Sequence, residues 1–383
     1  MLVYIAQFIL DAAKGSAWED ALSFLRLFRY ISFRSASAAV TALVLSLWLG
    51  PHFIAWLKRL KFGQNYVDKA EELGGLTART NKKGTPTMGG LLIVAVMDIA
   101  AVLWAVPNVL VLLTLLSVLV LAGLGFYDDY AKITQQNNRG AAAYVKLIVQ
   151  FSLAGFIALY LVSNRETRPL VQEFMLPFLK HPIATGTLGL GVGITITVLA
   201  IVASSNSVNL TDGLDGLAVG CTLIVSMVFL ILTYVAGNHK FAAYLQVPYV
   251  PGAGELTVFC SAMIGAGLGF LWFNCHPAQM FMGDTGSLSL GGALGIIAVL
   301  IHQPFVLAIA GAVFVAEAMS VMIQRGWFKY TRLRFGEGRR VFLMAPLHHH
   351  FEKLGWHENK VVVRFYILCF LCAVLALASL KIR

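Results

Sequence analysis

The sequence predicts an all-α integral membrane protein with about ten transmembrane helices. Of its 383 residues, 58% are hydrophobic and only 13% are charged, roughly half the charged fraction of an ordinary soluble domain. The apolar residues form long runs that are separated by short polar loops. A soluble fold of this length could not bury so much apolar surface, and the same composition excludes disordered, collagen-like and disulfide-stapled chains.

Ten apolar runs approach the length of about 20 helical residues that crosses a bilayer core of roughly 30 Å. They are 35–57, 88–106, 108–127, 144–162, 190–206, 216–235, 257–273, 286–302, 305–325 and 361–380. Residues 1–32 mix charged side chains with Leu and Phe, which predicts an amphipathic helix at the membrane interface. Residues 33–383 are then expected to form a single polytopic domain.

The basic residues predict how the chain is oriented. With ten spans both termini lie on one side of the membrane. The loops of the other side contain 18 Lys and Arg residues, against 10 on the side of the termini. The positive-inside rule therefore places those loops in the cytoplasm and both termini in the periplasm. This orientation, together with anionic lipid or substrate, explains the formal net charge of +10 without nucleic acid.

Each of the five predicted cytoplasmic loops carries a polar cluster, whereas the outer loops carry nothing comparable. The clusters are KKGTPTMGG at 82–90, DDYAK at 128–132, NLTDGLDG at 209–216, a segment from 274 that ends in FMGDTGS at 281–287, and MAPLHHH at 344–350. Any one cluster has a plain structural explanation as a helix end, a turn or a topology signal. All five on one membrane face favour a functional site.

Five carboxylates belong to these clusters, those of Asp128, Asp129, Asp212, Asp215 and Asp284. If they converge, they raise one another's pKa unless cations neutralise them. The donors are hard oxygens without a nearby cysteine, which predicts Mg²⁺, with Mn²⁺ as a substitute, rather than zinc. Because Mg²⁺ typically binds one or two carboxylates together with substrate phosphates, the pattern favours a phosphorylated substrate.

Basic side chains are predicted to meet the anionic oxygens of that substrate, namely those of Lys82, Lys132 and the run His348–His350. Adjacent histidines rarely chelate one ion together, so a metal held by all three is disfavoured. Two carboxylates lie inside predicted spans. We expect Glu317 to accept a hydrogen bond from a neighbouring helix, and the sequence offers no explanation for Asp98.

In order and in loop position, these motifs resemble those of the polyprenyl-phosphate N-acetylhexosamine-1-phosphate transferases. The segments at 128–130, 209–216 and 281–284 are typical of that superfamily. The segments at 82–90 and 344–350 narrow the resemblance to the bacterial phospho-N-acetylmuramoyl-pentapeptide transferase (MraY) family. The resemblance extends from about residue 33 to the carboxyl end, without a departure at any motif position.

The resemblance implies a homodimeric inner-membrane enzyme whose active-site cleft opens to the cytoplasm. The implied reaction transfers phospho-MurNAc-pentapeptide from UDP-MurNAc-pentapeptide to undecaprenyl phosphate, giving lipid I and UMP. Mg²⁺ would be bound by Asp284, with Asp212 as a second candidate ligand. The implied catalytic residues are Lys82, Asp128, Asp129, Asp284, His348 and His349. The implied substrate-binding residues are Thr87, Lys132, Asn209, Leu210, Asp212, Gly213, Asp215, Asn274, Phe281, Gly283 and His350.

Two other functions and one mechanistic choice stay open. A related transferase would move GlcNAc-1-phosphate, although the histidine segment argues against it. A transporter or flippase of a lipid-linked or anionic solute would carry polar groups near mid-bilayer on broken helices, whereas here they lie at helix ends on one face. The sequence does not distinguish direct transfer from an aspartyl-phosphate intermediate, nor which of Asp128 and Asp129 is the base.

Overall fold

The computed structural model describes residues 1–15, 18–60, 84–134, 140–173, 175–176, 179 and 182–381. Within these ranges the regular secondary structure is helical, which confirms the predicted all-α class. Lys82 lies outside the described residues. Its catalytic role therefore stays a prediction.

Eight helices of the described residues are long and apolar enough to cross a membrane. They are α2 (Ile31–Arg59), α4 (Val109–Thr134), α5 (Ala143–Ser163), α7 (Gly186–Thr211), α8 (Leu217–Ala236), α10 (Gly254–Asn274), α11 (Gly283–Leu300) and α15 (Glu358–Ala378). The other α-helices are α1 (Leu2–Ala13), α3 (Gly90–Trp104), α6 (Pro169–Gln172), α9 (His239–Leu245), α12 (Pro304–Ala310), α13 (Ala312–Phe335) and α14 (Leu347–Lys353).

Two of the ten predicted spans take a different form. The run at 88–106 forms α3, which has 15 residues, fewer than the about 20 of a full crossing. The run at 305–325 is divided between α12 and α13, which are bent by 84° relative to each other. Gly311 lies between the two helices, as the C-cap residue of α12 and the N-cap residue of α13. When the bent pair is counted as one span, the described residues contain up to nine candidate spans.

The amino-terminal segment forms two short helices instead of the one that was predicted. They are α1 and a 3-10 helix at Ser23–Arg29. The terminal ammonium group of Met1 donates hydrogen bonds of 3.1 Å to the carbonyl oxygens of Val102 and Leu103. These bonds attach the amino terminus to the last turn of α3.

The centre of the bundle is formed by α10 and α11, whose most apolar stretches are 83% and 89% buried. α10 packs against α2, α3 and α8, and α11 packs against α4 and α7. Small residues allow these close approaches. A Cβ at Gly265 of α10 would overlap the backbone of Ala39 in α2, and one at Gly90 of α3 would overlap the backbone of Gly286 in α11.

A buried ion pair joins the amino-terminal ends of α2 and α10. The guanidinium of Arg34 donates to both carboxylate oxygens of Glu255, at 2.6 and 2.7 Å. Glu255 also accepts from the backbone N–H of Val106 at 2.7 Å. Arg34 was predicted to precede the first span, but it lies in the first turn of α2 because this partner neutralises its charge inside the bundle.

Candidate active site

Helix ends from distant parts of the sequence converge on one carboxylate cluster. Asp128 and Asp129 lie near the carboxyl end of α4, and Asp284 lies in the first turn of α11. Each of the three offers an oxygen atom within 4.8 Å of the others. Asp128 and Asp129 are fully buried, whereas 15% of the Asp284 side chain is exposed. Solvent therefore reaches the cluster on the side of Asp284.

Two lysines neutralise most of the charge of this cluster. The ammonium group of Lys132 lies 2.6 Å from Asp128 Oδ2 and 3.2 Å from Asp284 Oδ2. The ammonium group of Lys146, near the start of α5, lies 2.9 Å from Asp128 Oδ1 and 2.6 Å from Asp284 Oδ2. Three carboxylates and two ammonium groups leave a formal charge of −1, so the cluster can accept a further cation.

Asp129 differs from the other two carboxylates because it caps α11. Its Oδ1 accepts from the backbone N–H of Asp284 at 3.1 Å. Its Oδ2 accepts from the backbone N–H and the hydroxyl of Thr285, at 3.1 and 2.8 Å. A carboxylate at a helix amino terminus satisfies N–H groups that lack a partner within the helix and interacts favourably with the helix dipole. Asp129 thereby positions Asp284.

Gly283 allows this cap to form. Its φ of +72° is a backbone conformation that L side chains rarely adopt. A Cβ at this position would also lie only 2.6 Å from Asp129 Oδ2 and 3.1 Å from Thr87 Oγ1. The Phe-Met-Gly-Asp turn therefore depends on glycine for the contact between α4 and α11.

Asn209, near the carboxyl end of α7, orients the outer edge of the cluster. Its side-chain amide donates to Asp284 Oδ1 at 2.9 Å and to the hydroxyl of Ser287 at 2.8 Å. Both oxygens of Asp284 therefore have partners, one in Asn209 and the other in the two lysines. The neighbouring Leu210 is half-buried, and the contacts within the described chain give it no polar role.

The segment before α3 is held against the turn before α11 by backbone hydrogen bonds. The N–H of Phe281 donates to the carbonyl of Pro86, and the N–H of Gly89 donates to the carbonyl of Phe281, both at 2.8 Å. The N–H of Gly90 donates to the carbonyl of Met282, again at 2.8 Å. This pairing buries Thr87 beneath the cluster and attaches the 84–90 segment to the site.

Asp212 lies three positions after Asn209 and three before Asp215 in the 209–216 segment. It follows the last residue of α7 and is half-buried. Burial, followed by the negative charges of Asp284, Asp129 and Asp215, raises the pKa of Asp212 to about 8. The other motif carboxylates thus contribute to the raised pKa of Asp212, in agreement with the mutual effect that was predicted for converging carboxylates.

A second group of polar residues surrounds Asp215. Its Oδ2 lies 3.1 Å from His276 Nδ1 and accepts from the backbone N–H of Ala278 at 3.2 Å. Glu358 Oε1 accepts from the backbone N–H of Asp215 at 3.0 Å, and Glu358 Oε2 lies 3.5 Å from His276 Nδ1. Asp215, His276 and Glu358 also have ligand atoms close enough together to hold a metal ion.

Asn274 connects this group to the turn before α11. Its side-chain oxygen accepts from the backbone N–H of Gly216 at 3.1 Å, and its side-chain amide donates to the carbonyl of Met280 at 2.9 Å. The 209–216 and 274–284 segments are thereby fixed relative to each other.

The three histidines of α14 have three different partners. The backbone N–H of His348 donates to Glu317 Oε1 at 3.1 Å, and its Nδ1 lies 3.2 Å from Glu317 Oε2. His349 Nδ1 lies 2.7 Å from Glu352, and His350 Nδ1 accepts from the N–H of Leu343 at 3.1 Å. The rings of His348 and His349 lie against each other, with 4.1 Å between their centroids, although each has its own carboxylate partner. The hydrogen bond that Glu317 was expected to accept comes from the histidine segment itself.

The fully buried ring of His348 rests on Gly213, where an added Cβ would overlap its Nε2. This contact joins α14 to the 209–216 segment, which also carries Asp212 and Asp215. The histidine segment is thereby attached to the segment of Asp212 and Asp215, although His348 follows Asp215 by 133 positions in the sequence.

The donor atoms of the carboxylate cluster suit a hard divalent cation. Asp128 and Asp284 offer oxygens that are now paired with ammonium groups, and these are the oxygens that a metal ion and the lysines would share. Asp129 is less available, since both its oxygens cap α11. An all-oxygen donor set with a net negative charge fits Mg²⁺ or Mn²⁺ better than zinc.

Comparison with known proteins identifies the family. The profile of glycosyl transferase family 4 matches residues 111–302, and the first phospho-N-acetylmuramoyl-pentapeptide-transferase signature matches residues 82–94. The phospho-N-acetylmuramoyl-pentapeptide-transferase of Granulibacter bethesdensis is 50% identical over 93% of this chain and 95% of its own length. Those of Methylacidiphilum infernorum and Opitutus terrae are 46% and 47% identical, each over at least 94% of this chain.

The chain belongs to the phospho-N-acetylmuramoyl-pentapeptide-transferase family. It is thus a transferase and a multi-pass bacterial membrane protein, and the resemblance noted in its motifs is confirmed. The carboxylate cluster lies within the region that the family 4 profile matches, and the 84–90 segment lies within the family signature.

Five residues of this transferase contact the motifs although they were not predicted as site residues, and three of them lie within the 274–287 segment itself. They are Lys146, Thr285, Ser287, His276 and Glu358. Lys146 carried the clearest available signal, since it is a lone charge at the start of an apolar run on the same side as the motifs. The others are ordinary helix-end residues, and only their contacts distinguish them.

Proposed function

We propose that this transferase moves phospho-MurNAc-pentapeptide from UDP-MurNAc-pentapeptide to undecaprenyl phosphate, which yields lipid I and UMP. One observation supports the proposal above the others. A cluster of carboxylates and lysines with a net negative charge lies at the ends of membrane-spanning helices and is open to solvent on the side of Asp284. A soluble diphosphate donor and a membrane-bound phosphate acceptor have to meet at such a boundary.

The donor and the acceptor both carry phosphate, so charge neutralisation is the main chemical requirement. Lys132 and Lys146 are the side chains that would meet the phosphate oxygens, because their ammonium groups lie at the exposed edge of the cluster. Asp284 would hold Mg²⁺, with Asp212 as the second candidate ligand, and the ion would supply further positive charge to the diphosphate when it is bound. Asp129 would keep Asp284 in place through the cap on α11.

For the transfer itself we propose direct attack. An oxygen of the lipid phosphate forms a bond to the phosphorus that carries the sugar, and the bond from that phosphorus to the oxygen of UMP breaks. Asp128 would keep the acceptor phosphate deprotonated. The second pKa of the acceptor phosphate is near neutrality, so modest assistance from Asp128 suffices. Asp129 is the weaker candidate for the base because both its oxygens accept hydrogen bonds from α11.

The remaining substrate-binding roles extend the proposal along the same face. Asp215, Asn274 and Phe281 would contact the nucleoside, and His348–His350 would lie beside the diphosphate. We also propose the inner membrane as the location, with this face toward the cytoplasm, where the nucleotide donor is made. The homodimer rests on the resemblance alone, and the mass of the detergent-solubilised particle would test it.

The decisive experiment uses purified protein, Mg²⁺, UDP-MurNAc-pentapeptide and undecaprenyl phosphate, with release of UMP as the readout. UMP formation that requires all four components is expected. UDP-GlcNAc in place of the donor distinguishes the related sugar transferases, and turnover of UDP-GlcNAc alone would refute the assignment of the sugar. Exchange of labelled UMP into the donor by fully delipidated enzyme would refute direct attack, since only a covalent enzyme intermediate permits it.

A further inference from the structure

The second half of α13 leaves the bundle after the 84° bend. From residue 321 to residue 335, Thr331 is the only residue that is buried among the described residues. This part of the helix is about 21 Å long at 1.5 Å per residue. A helix that the described part of the chain covers so poorly needs another environment for its apolar side chains.

One face of this segment is apolar and strongly exposed. Five of its large side chains are 44% to 78% exposed, and at 100° per residue they fall within an arc of about 140° that also contains the exposed Arg334 near the helix end. They are Met322, Ile323, Trp327, Tyr330 and Leu333. Trp and Tyr prefer the interfacial layer of a bilayer, where an apolar ring and a polar group are both accommodated.

A second face is covered by the chain that follows the helix. The side-chain oxygen of Gln324 accepts from the backbone N–H groups of Val341 and Phe342, at 3.0 and 2.9 Å. The hydroxyl of Thr331 accepts from the N–H of Arg339 at 2.8 Å. The returning segment therefore fixes the rotation of the helix about its own axis.

The third face is cationic. Arg325, Lys329 and Arg332 follow the i, i+4, i+7 spacing that places them in one stripe between the apolar face and the covered face. All three are exposed, and within the described chain none has a carboxylate within 4.0 Å. From residue 318 to residue 346 the sequence contains six Lys and Arg residues and one acidic residue, Glu337.

We infer that this half of α13 is a docking surface for anionic phospholipid. The apolar stripe would enter the acyl region of the leaflet on the active-site side, and Arg325, Lys329 and Arg332 would contact lipid phosphates. Charge complementarity supports this occupant, since three cations border an apolar face with no protein anion of the described residues to balance them. Lys and Arg side chains reach headgroups readily while their aliphatic parts remain in apolar surroundings.

The surface is coupled to the candidate active site through the same helix. Glu317, one turn after the start of α13, accepts from the backbone N–H of His348, and the returning segment held by Gln324 leads directly to α14. Lipid that fixes the orientation of α13 would therefore restrict the motion of α14 as well.

The test measures binding of fluorescent phosphatidylglycerol to the full-length protein in neutral detergent, with phosphatidylcholine as the uncharged comparison. Each cation near a membrane surface contributes about a fivefold gain in affinity for anionic lipid. We expect the triple variant Arg325→Gln, Lys329→Gln, Arg332→Gln to bind phosphatidylglycerol about a hundredfold more weakly. High salt should weaken wild-type binding in the same direction.

Two further variants serve as controls. Arg165→Gln, Arg168→Gln, Lys240→Gln removes the same charge from exposed positions elsewhere and should bind like the wild type. Arg325→Lys, Lys329→Arg, Arg332→Lys keeps the charge and should also retain binding. If the two triple glutamine variants lost phosphatidylglycerol binding equally, the proposal would be overturned, because only the net charge of the protein would then matter.

Hydrogen exchange supplies a readout that requires only the wild-type protein. In nanodiscs that contain phosphatidylglycerol, the amides of 322–335 and 347–353 should exchange more slowly than in nanodiscs of phosphatidylcholine alone. Equal amide hydrogen exchange in the two kinds of nanodisc would overturn the proposed docking surface. Equal affinity of the wild-type protein for the two lipids would also overturn it, irrespective of the results with the variants. Neither measurement depends on the proposed reaction.

Discussion

The backbone of Asp284 is held by the side chain of Asp129, with 3.1 Å between the donated N–H nitrogen and Oδ1. Two carboxylates that the sequence presents as equivalent motif members thus have separate tasks. Asp129 fixes the start of α11, while the side chain of Asp284 faces the lysines and Asn209. This division of roles gives the first prediction.

Asp129→Asn should lower stability as well as activity. The variant presents an N–H₂ group to the amides of Asp284 and Thr285, and a buried donor without a partner costs about 1–3 kcal/mol. Thermal unfolding in detergent, measured together with UMP release, separates the two effects. Asp20→Asn, at an exposed position, serves as the control. An unchanged unfolding temperature for Asp129→Asn would contradict the capping role.

Asp284→Asn should abolish turnover without preventing folding. It removes the negative charge that the two lysines and the expected Mg²⁺ share, but it retains an oxygen for Asn209. The measurement is UMP release across a Mg²⁺ titration, beside the unfolding temperature. Normal activity at ordinary Mg²⁺ concentrations would refute the assignment of the metal ligand.

Removal of divalent metal should stop the reaction reversibly. Treatment with EDTA is expected to abolish UMP release, and added Mg²⁺ or Mn²⁺ should restore it, because an all-oxygen donor set accepts both ions. Zn²⁺ should restore little activity. Full turnover after exhaustive chelation would mean that Lys132 and Lys146 suffice to neutralise the substrate phosphates.

Lys146→Gln tests a lysine whose place in the cluster became apparent only from its ion pairs with Asp128 and Asp284. Loss of one preorganised charge at a phosphoryl-transfer site typically costs about 10²-fold in turnover, and a loss of at least that size is expected here. Lys240→Gln, an exposed lysine of α9, is the matched control. Turnover within about twofold of wild type would show that Lys132 alone supplies the cation.

Gly213→Ala should impair activity through a steric effect on His348. The new methyl group would overlap Nε2 of a fully buried ring, so the ring and the start of α14 must shift. Gly155→Ala, in α5, adds the same methyl group where no atom lies within 4 Å and should leave activity unchanged. Wild-type turnover in Gly213→Ala would show that the position of His348 is not critical.

Much of the fold could be predicted from the sequence, for a thermodynamic reason. Long apolar runs have to be helical in a bilayer, because each backbone polar group must find its partner within its own segment. Charged and polar motifs are therefore restricted to the helix ends. The all-α class and the presence of the motifs on adjoining loops follow from this restriction, without any knowledge of the packing.

The sequence was less informative where a run contains its own interruption. The 305–325 run is largely apolar, but Gly311 lets α12 and α13 meet at 84°. A hydropathy pattern records the total apolar length and not the direction of the chain. The bend, and with it the uncovered cationic stripe of α13, was decided by packing.

By itself, the sequence determined the class of protein, the family and the set of motif residues. Only the tertiary structure decided that Asp129 caps α11, that Lys146 completes the cluster and that Glu317 holds His348. These contacts join residues that are 18 to 155 positions apart. They depend on how whole helices are rotated and shifted against one another, and that arrangement is set by the sum of many apolar contacts rather than by any local pattern.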